Sequence, residues 1–224
     1  PDVSGWACAV AVSPDGTSVL TGHVRGKLTL WNTETGELVR QWQPHDYRVD
    51  CVGFTPDGKY ALSACATHAA DGDAGPAKVY RTSDWEVAQE LHVGNGGDVY
   101  GLAMHPDSRH VLLGATRGVQ LRNLETGELV QTLDETPEQD MQRRALDIDA
   151  SGRWAVTGSN SGELWLWDLA TGRKARQFRG HGFSGPQLPG SSHVARVAFV
   201  PGTKWIVSSG WDRTLRLWDR ETGV

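Results

Sequence analysis

Ser208, His181 and Asp212 are the residue types of a nucleophilic triad: a hydroxyl, an imidazole to take its proton and a carboxylate to hold the imidazole. No G-x-S-x-G elbow frames Ser208, and the constellation has no second copy. Asp71-Gly72-Asp73-Ala74-Gly75, with His68 close by, sets two hard oxygen donors among glycines, which is calcium chemistry. Two carboxylates fall short of the roughly six oxygens a full loop supplies. Gly75, Pro76 and Lys78 follow where a glutamate would complete it, so a solvated loop is the reading. Cys8, Cys51 and Cys65 are odd in number and show no C-x-x-C spacing, so they read as buried, reduced thiols. Such thiols lean toward the cytoplasm, but the chain starts at Pro1 without a Met, and the compartment stays open. No motif implies a cofactor.

Charge narrows the partners. Twenty-two Lys and Arg against 27 Asp and Glu leave a net charge of −5, so no global basic field draws nucleic acid or an anionic membrane. Arg143-Arg144 is too short for a nucleic-acid patch and follows Glu135, Glu138 and Asp140. No apolar run approaches the roughly 18 residues of a membrane span.

The elements that carry these residues repeat. Tight turns stand at Pro14-Asp15-Gly16, Pro56-Asp57-Gly58, Pro106-Asp107-Ser108, Ala150-Ser151-Gly152 and Pro201-Gly202-Thr203, at intervals of 42, 50, 44 and 51 residues. Before each lie alternating apolar residues: Val10 and Val12, Val52 and Phe54, Leu102 and Met104, Leu146 and Ile148, Val197 and Phe199. Period two predicts a half-buried strand. A further short strand follows each turn, ending at Trp31, Tyr80, Arg122, Trp167 or Trp218, and then a second turn of the Glu-Thr-Gly type, as at Glu34-Thr35-Gly36. Each unit is four short strands joined by hairpins, and no helical period competes. The predicted class is all-β, a propeller of four-stranded antiparallel blades with five repeats, about 6–43, 44–92, 93–134, 135–179 and 180–224.

Gly180-His181, the run Trp211-Asp212-Arg213-Thr214-Leu215-Arg216-Leu217-Trp218-Asp219 and the run Leu164-Trp165-Leu166-Trp167-Asp168 resemble the WD-repeat β-propeller family over nearly the whole chain. The resemblance implies that His181, Ser208, Asp212 and Trp218 form a buried structural network rather than a catalytic site. The other units depart from the pattern. The second has His45, Ser63 and Tyr80 with an insertion at the turn; the third has Asn95 and Arg122. The first has Thr21 and Trp31 with Arg25 at the acid's place, and the fourth has Thr157 and Trp167 with Ser161 there. The resemblance further implies a non-catalytic scaffold for a protein or peptide.

The loops choose a face. Turns between first and second and between third and fourth strands are short and uniform, whereas the long connections 66–77, 134–143 and 182–193 all fall on the opposite side. Loops on a rigid scaffold carry binding. Trp211, Tyr47, Tyr100, Trp6, Arg25 and Arg48, with Arg117, gather by that rim, and aromatic and Arg residues are the usual anchors of interfaces. The alternative reading is an enzyme or lectin site at the channel mouth, metal-assisted by the Asp71 and Asp73 loop. Strand counting adds one expectation: the fifth unit stops before its outer strand, so the chain is read as a segment of a larger ring, with a natural five-bladed ring as the alternative. Families of this kind most often use seven blades, and the missing ones would come from further sequence or another chain.

Overall fold

In the computed structural model, the described residues are 5–67, 75–94, 98–115, 118–134, 145–182 and 193–223. Among the described residues, nineteen strands form five antiparallel sheets. The first sheet holds β1 (Ala7–Val12), β2 (Ser18–His23), β3 (Leu28–Asn32) and β4 (Leu38–Trp42), and the second β5 (Val49–Phe54), β6 (Tyr60–Cys65), β7 (Ala77–Arg81) and β8 (Val87–Leu91). The third holds β9 (Val99–Met104), β10 (His110–Ala115), β11 (Gly118–Asn123) and β12 (Leu129–Asp134). The fourth holds β13 (Ala145–Ile148), β14 (Trp154–Gly158), β15 (Glu163–Asp168) and β16 (Arg173–Arg179), and the fifth β17 (Val194–Phe199), β18 (Trp205–Gly210) and β19 (Leu215–Asp219). In every sheet the strands lie in chain order, each paired with its neighbour through a hairpin.

The first hairpin turn of each blade is built alike. The amides of Ser13, Thr55, His105, Asp149 and Val200 donate to the carbonyls of Ser18, Tyr60, His110, Trp154 and Trp205. Gly16, Gly58, Gly152 and Gly202 take the left-handed φ of 71–73° that closes four of these turns, a conformation glycine adopts without steric penalty. An aspartate accepts from the amides that follow: Asp15 from Thr17, Asp57 from Lys59 and Asp107 from Arg109.

Blades pack face to face. The inner strands β1, β5, β9, β13 and β17 contact one another in that order, and the cores lie between successive blades. Glycine permits the closest approaches: a Cβ on Gly22 would stand 2.4 Å from a methyl of Val49, and one on Gly158 2.6 Å from a methyl of Val194. Among the described residues the row does not close: no comparable contact joins β1 to β17, and the two terminal blades each leave one face uncovered. On the first blade, Val10 and Val12 turn outward to solvent, although their equivalents Leu146 and Ile148 are buried. On the fifth, Leu215 and Leu217 are exposed while their equivalents Leu28 and Leu30, Val119 and Leu121, and Leu164 and Leu166 are buried. The alternation at Val10 and Val12 therefore marks a strand whose core partner is absent from this row.

Candidate functional site

The three polar residues of the triad lie in the fifth blade and its approach. Ser208 is on β18, where it pairs across the sheet with Arg216; His181 precedes the blade, and Asp212 is in the turn between β18 and β19. Trp218 Nε1 donates to Ser208 Oγ at 2.8 Å, and Ser208 Oγ is 2.7 Å from His181 Nε2. His181 Nδ1 lies 3.0 and 3.1 Å from the two Asp212 oxygens. Since Trp218 can only donate, Ser208 gives its own proton to Nε2, and Nδ1–H is left to donate to the carboxylate. Asp212 also accepts from the amide and hydroxyl of Thr214 at 3.1 and 2.8 Å and from Gly182 N at 3.3 Å. Burial raises the Asp212 carboxyl, but the Thr214 donors and His181 outweigh it and hold it down at about 2.

This is the bond order of a hydrolase triad without an approach for substrate. Ser208 is 1% exposed, and the space in front of its oxygen is filled by the Trp218 indole. An attacking serine needs a reacting carbonyl within reach and donors for the oxyanion; here the hydroxyl gives its proton to His181 and accepts from Trp218. Gly210 makes the closure possible, because a Cβ there would stand 2.6 Å from His181 Nδ1 and 2.9 Å from an Asp212 oxygen.

The other blades solve the same problem with other groups. In the second, His45 Nε2 lies 2.7 Å from Ser63 Oγ, which lies 3.2 Å from the Tyr80 hydroxyl. Cys65 Sγ, 3.3 Å from His45 Nδ1, stands where the acid stands in the fifth blade, a partner the residue pattern had not indicated. Burial, reinforced by Lys78, pushes the His45 imidazole down to about 4, and burial pushes the Cys65 thiol up to about 12. In the first blade, Trp31 Nε1 donates to Thr21 Oγ1 at 3.4 Å, and Thr21 and Thr29 both meet His23 Nε2, at 3.0 and 3.1 Å. In the fourth, Trp167 Nε1 donates to Thr157 Oγ1 at 3.0 Å. Arg122 of the third instead donates to Gln120 Oε1 and to the Gly127 carbonyl, both at 2.9 Å.

The rim residues differ in what they offer. Trp211 is 62% exposed in the turn between β18 and β19, its ring stacked on His193 with centroids 5.0 Å apart and planes at 14°. Trp6 is 85% exposed just before β1, and Tyr47 and Arg25 are also exposed. Arg48 is half-buried, its Nε donating to Asp50 Oδ1 at 3.0 Å, so its charge is committed. Tyr100 corrects the expectation of a rim contact: it is 7% exposed and its hydroxyl donates to Asp98 Oδ2 at 2.9 Å. Asp98 in turn accepts from Thr67, so Tyr100 anchors the end of β6 rather than facing a partner. Trp6 and Arg25 belong to the first blade, Tyr47 and Arg48 to the second and Trp211 to the fifth, which spreads the set around the face. Arg117, Asp71, Asp73 and His68 lie outside the described residues, as does most of each long connection.

A WD domain, G-beta repeat profile matches residues 36–73, 127–168 and 172–219. The chain belongs to the WD-repeat family. It is 24% identical to a Periodic tryptophan protein 2 homolog of Dictyostelium discoideum over 87% of this chain and 19% of that protein. It is 26% identical to human WD repeat-containing protein 18, over 96% of this chain and 50% of that protein. To the Target of rapamycin complex subunit wat1 of Schizosaccharomyces pombe it is 22% identical, over 95% of this chain and 64% of that protein. The chain thus spans only part of each relative. In this family setting the five sheets are blades of a partial propeller, and the His181 to Trp218 network is its internal strut.

Proposed function

We propose that this WD-repeat chain is a non-catalytic scaffold that presents the face of its long connections to a protein or peptide partner. The observation that carries the reading is a division of labour. The residues with reactive chemistry, Ser208, His181 and Asp212, are sealed in a network, while large planar side chains, Trp6, Tyr47 and Trp211, stand exposed on one face with Arg25. Aromatic and Arg side chains held on a rigid frame are what protein interfaces use as anchors. A subunit of a larger assembly among the relatives, wat1, is in keeping with a protein partner.

The test is affinity capture from the source cells with the wild-type chain and with Trp211→Ala. Capture should weaken at least tenfold while the melting temperature stays within about 2 °C, because a half-exposed ring contributes little to the core. Equal weakening from Asp15→Ala or Glu34→Ala, in the turns of the opposite face, would assign the partner to that side.

The uncovered faces of the terminal blades support a second element of the proposal. Leu215 and Leu217 on one side and Val10 and Val12 on the other occupy repeat positions that interior blades bury wholly or in part, so further blades of the same build cover them in the working protein. Those blades come from additional sequence or from another chain.

A further inference from the structure

The third blade carries a group of side chains that the scaffold reading leaves unused. His105 and Asp107 lie in the turn between β9 and β10 and His110 opens β10, and their ligand atoms are all within 4.8 Å of one another. His105 Nδ1 is 3.0 Å from Asp107 Oδ1, and His110 Nδ1 is 2.7 Å from Asp107 Oδ2. We propose that this turn is a binding site for a divalent transition-metal ion of the zinc class, held by the two imidazoles and the carboxylate.

Four observations support it. First, the turn does not need the histidines. The same two positions hold Ser13 and Ser18, Thr55 and Tyr60, Asp149 and Trp154, or Val200 and Trp205 in the other blades, with the same closing hydrogen bond. Second, His105 is oriented from outside the group: its Nε2 donates at 3.0 Å to the carbonyl of Gly152, in the corresponding turn of the next blade. A metal-binding histidine characteristically gives its other ring N–H to such a carbonyl, which fixes the tautomer and points a lone pair at the ion. Third, with Nε2 as the donor, His105 Nδ1 accepts from the Asp107 amide at 3.2 Å and also faces a second acceptor, Asp107 Oδ1, at 3.0 Å, a contact a cation turns from repulsion into shared coordination.

Fourth, the spacing fits. Bonds of about 2.0–2.1 Å in a tetrahedral site put ligand atoms roughly 3.3 Å apart, so the contacts on the two Asp107 oxygens, at 3.0 and 2.7 Å, open by less than an ångström while the widest separation, within 4.8 Å, draws in. Two imidazoles with one carboxylate suit zinc, nickel or copper better than calcium or magnesium, which take oxygen donors. All three side chains are partly exposed, so the ion enters from solvent.

The experiment is calorimetric titration of the chain with zinc chloride after treatment with a chelator, repeated for His105→Ser and His110→Ser. Both substitutions install the residues that the first blade already carries in this turn, and an unchanged melting temperature without metal verifies that the variants fold. The expected result is saturable one-to-one binding that weakens at least tenfold in each variant and is unaffected by His92→Ala, at an exposed histidine elsewhere. Cobalt should give a visible absorption band that the same two substitutions abolish. Absence of saturable binding, or equal binding in the His110→Ser chain, would overturn the assignment.

Discussion

At the residue scale the chain shows how one set of side chains can satisfy the geometry of catalysis and still serve as a strut. Ser208, His181 and Asp212 stand in triad order, but Trp218 donates into the serine and closes the site. Trp218→Phe removes that donor with little loss of volume. It should lower unfolding free energy by about 1–3 kcal/mol in urea denaturation, since Ser208 then loses a buried bond. His45 supplies the pH dependence. Its folded pKa of about 4 is below the ordinary 6.5, so the unfolded chain binds the proton more readily. Its contribution is therefore full above pH 6.5 and is lost as pH falls from there through 4, a decline of roughly 3 kcal/mol. Denaturation midpoints measured from pH 7 to pH 4 should show this slope. His45→Gln should flatten it while lowering stability at pH 7.

At the scale of the element, burial depends on which neighbour a strand faces, not on its own sequence. Leu166 on β15 and Leu217 on β19 hold the same place in their blades, opposite Val156 and Val207. Leu166 is sealed against the fifth blade and Leu217 faces solvent. Leu166→Ala should thus cost about 2–5 kcal/mol, while Leu217→Ala should change stability by less than about 1 kcal/mol. Thermal or chemical denaturation of the two variants side by side checks it. A large loss at Leu217 would mean that its side chain is already covered.

At the scale of the whole molecule, five blades make an arc with two apolar ends. The same Leu217→Ala substitution becomes a probe of completion. In a longer chain, or a complex, where another blade seats on β19, it should become as costly as Leu166→Ala, about 2–5 kcal/mol. If it stays neutral there, the face is not an inter-blade contact.

Much of this was legible from the residues alone because β-hairpins write themselves locally. Alternating apolar pairs, Pro-Asp-Gly and Glu-Thr-Gly turns and a period near 45 residues determine strand, turn and blade, as each depends on neighbours only a few positions away. The network was legible by a different route: the run from Trp211 to Asp219 resembles the WD-repeat family, and that resemblance implied the buried linkage of His181, Ser208, Asp212 and Trp218. What the tertiary structure decided is everything that depends on a group from a different blade or a distant strand. Cys65 serves His45 from across the sheet, Asp98 draws Tyr100 inward, and Gly152 orients His105 from the next blade. The outward face of Val10 and the bare surface at Leu217 belong here too. A strand's pattern tells which residues share a face, but whether that face is core or surface is settled by the blade that packs against it.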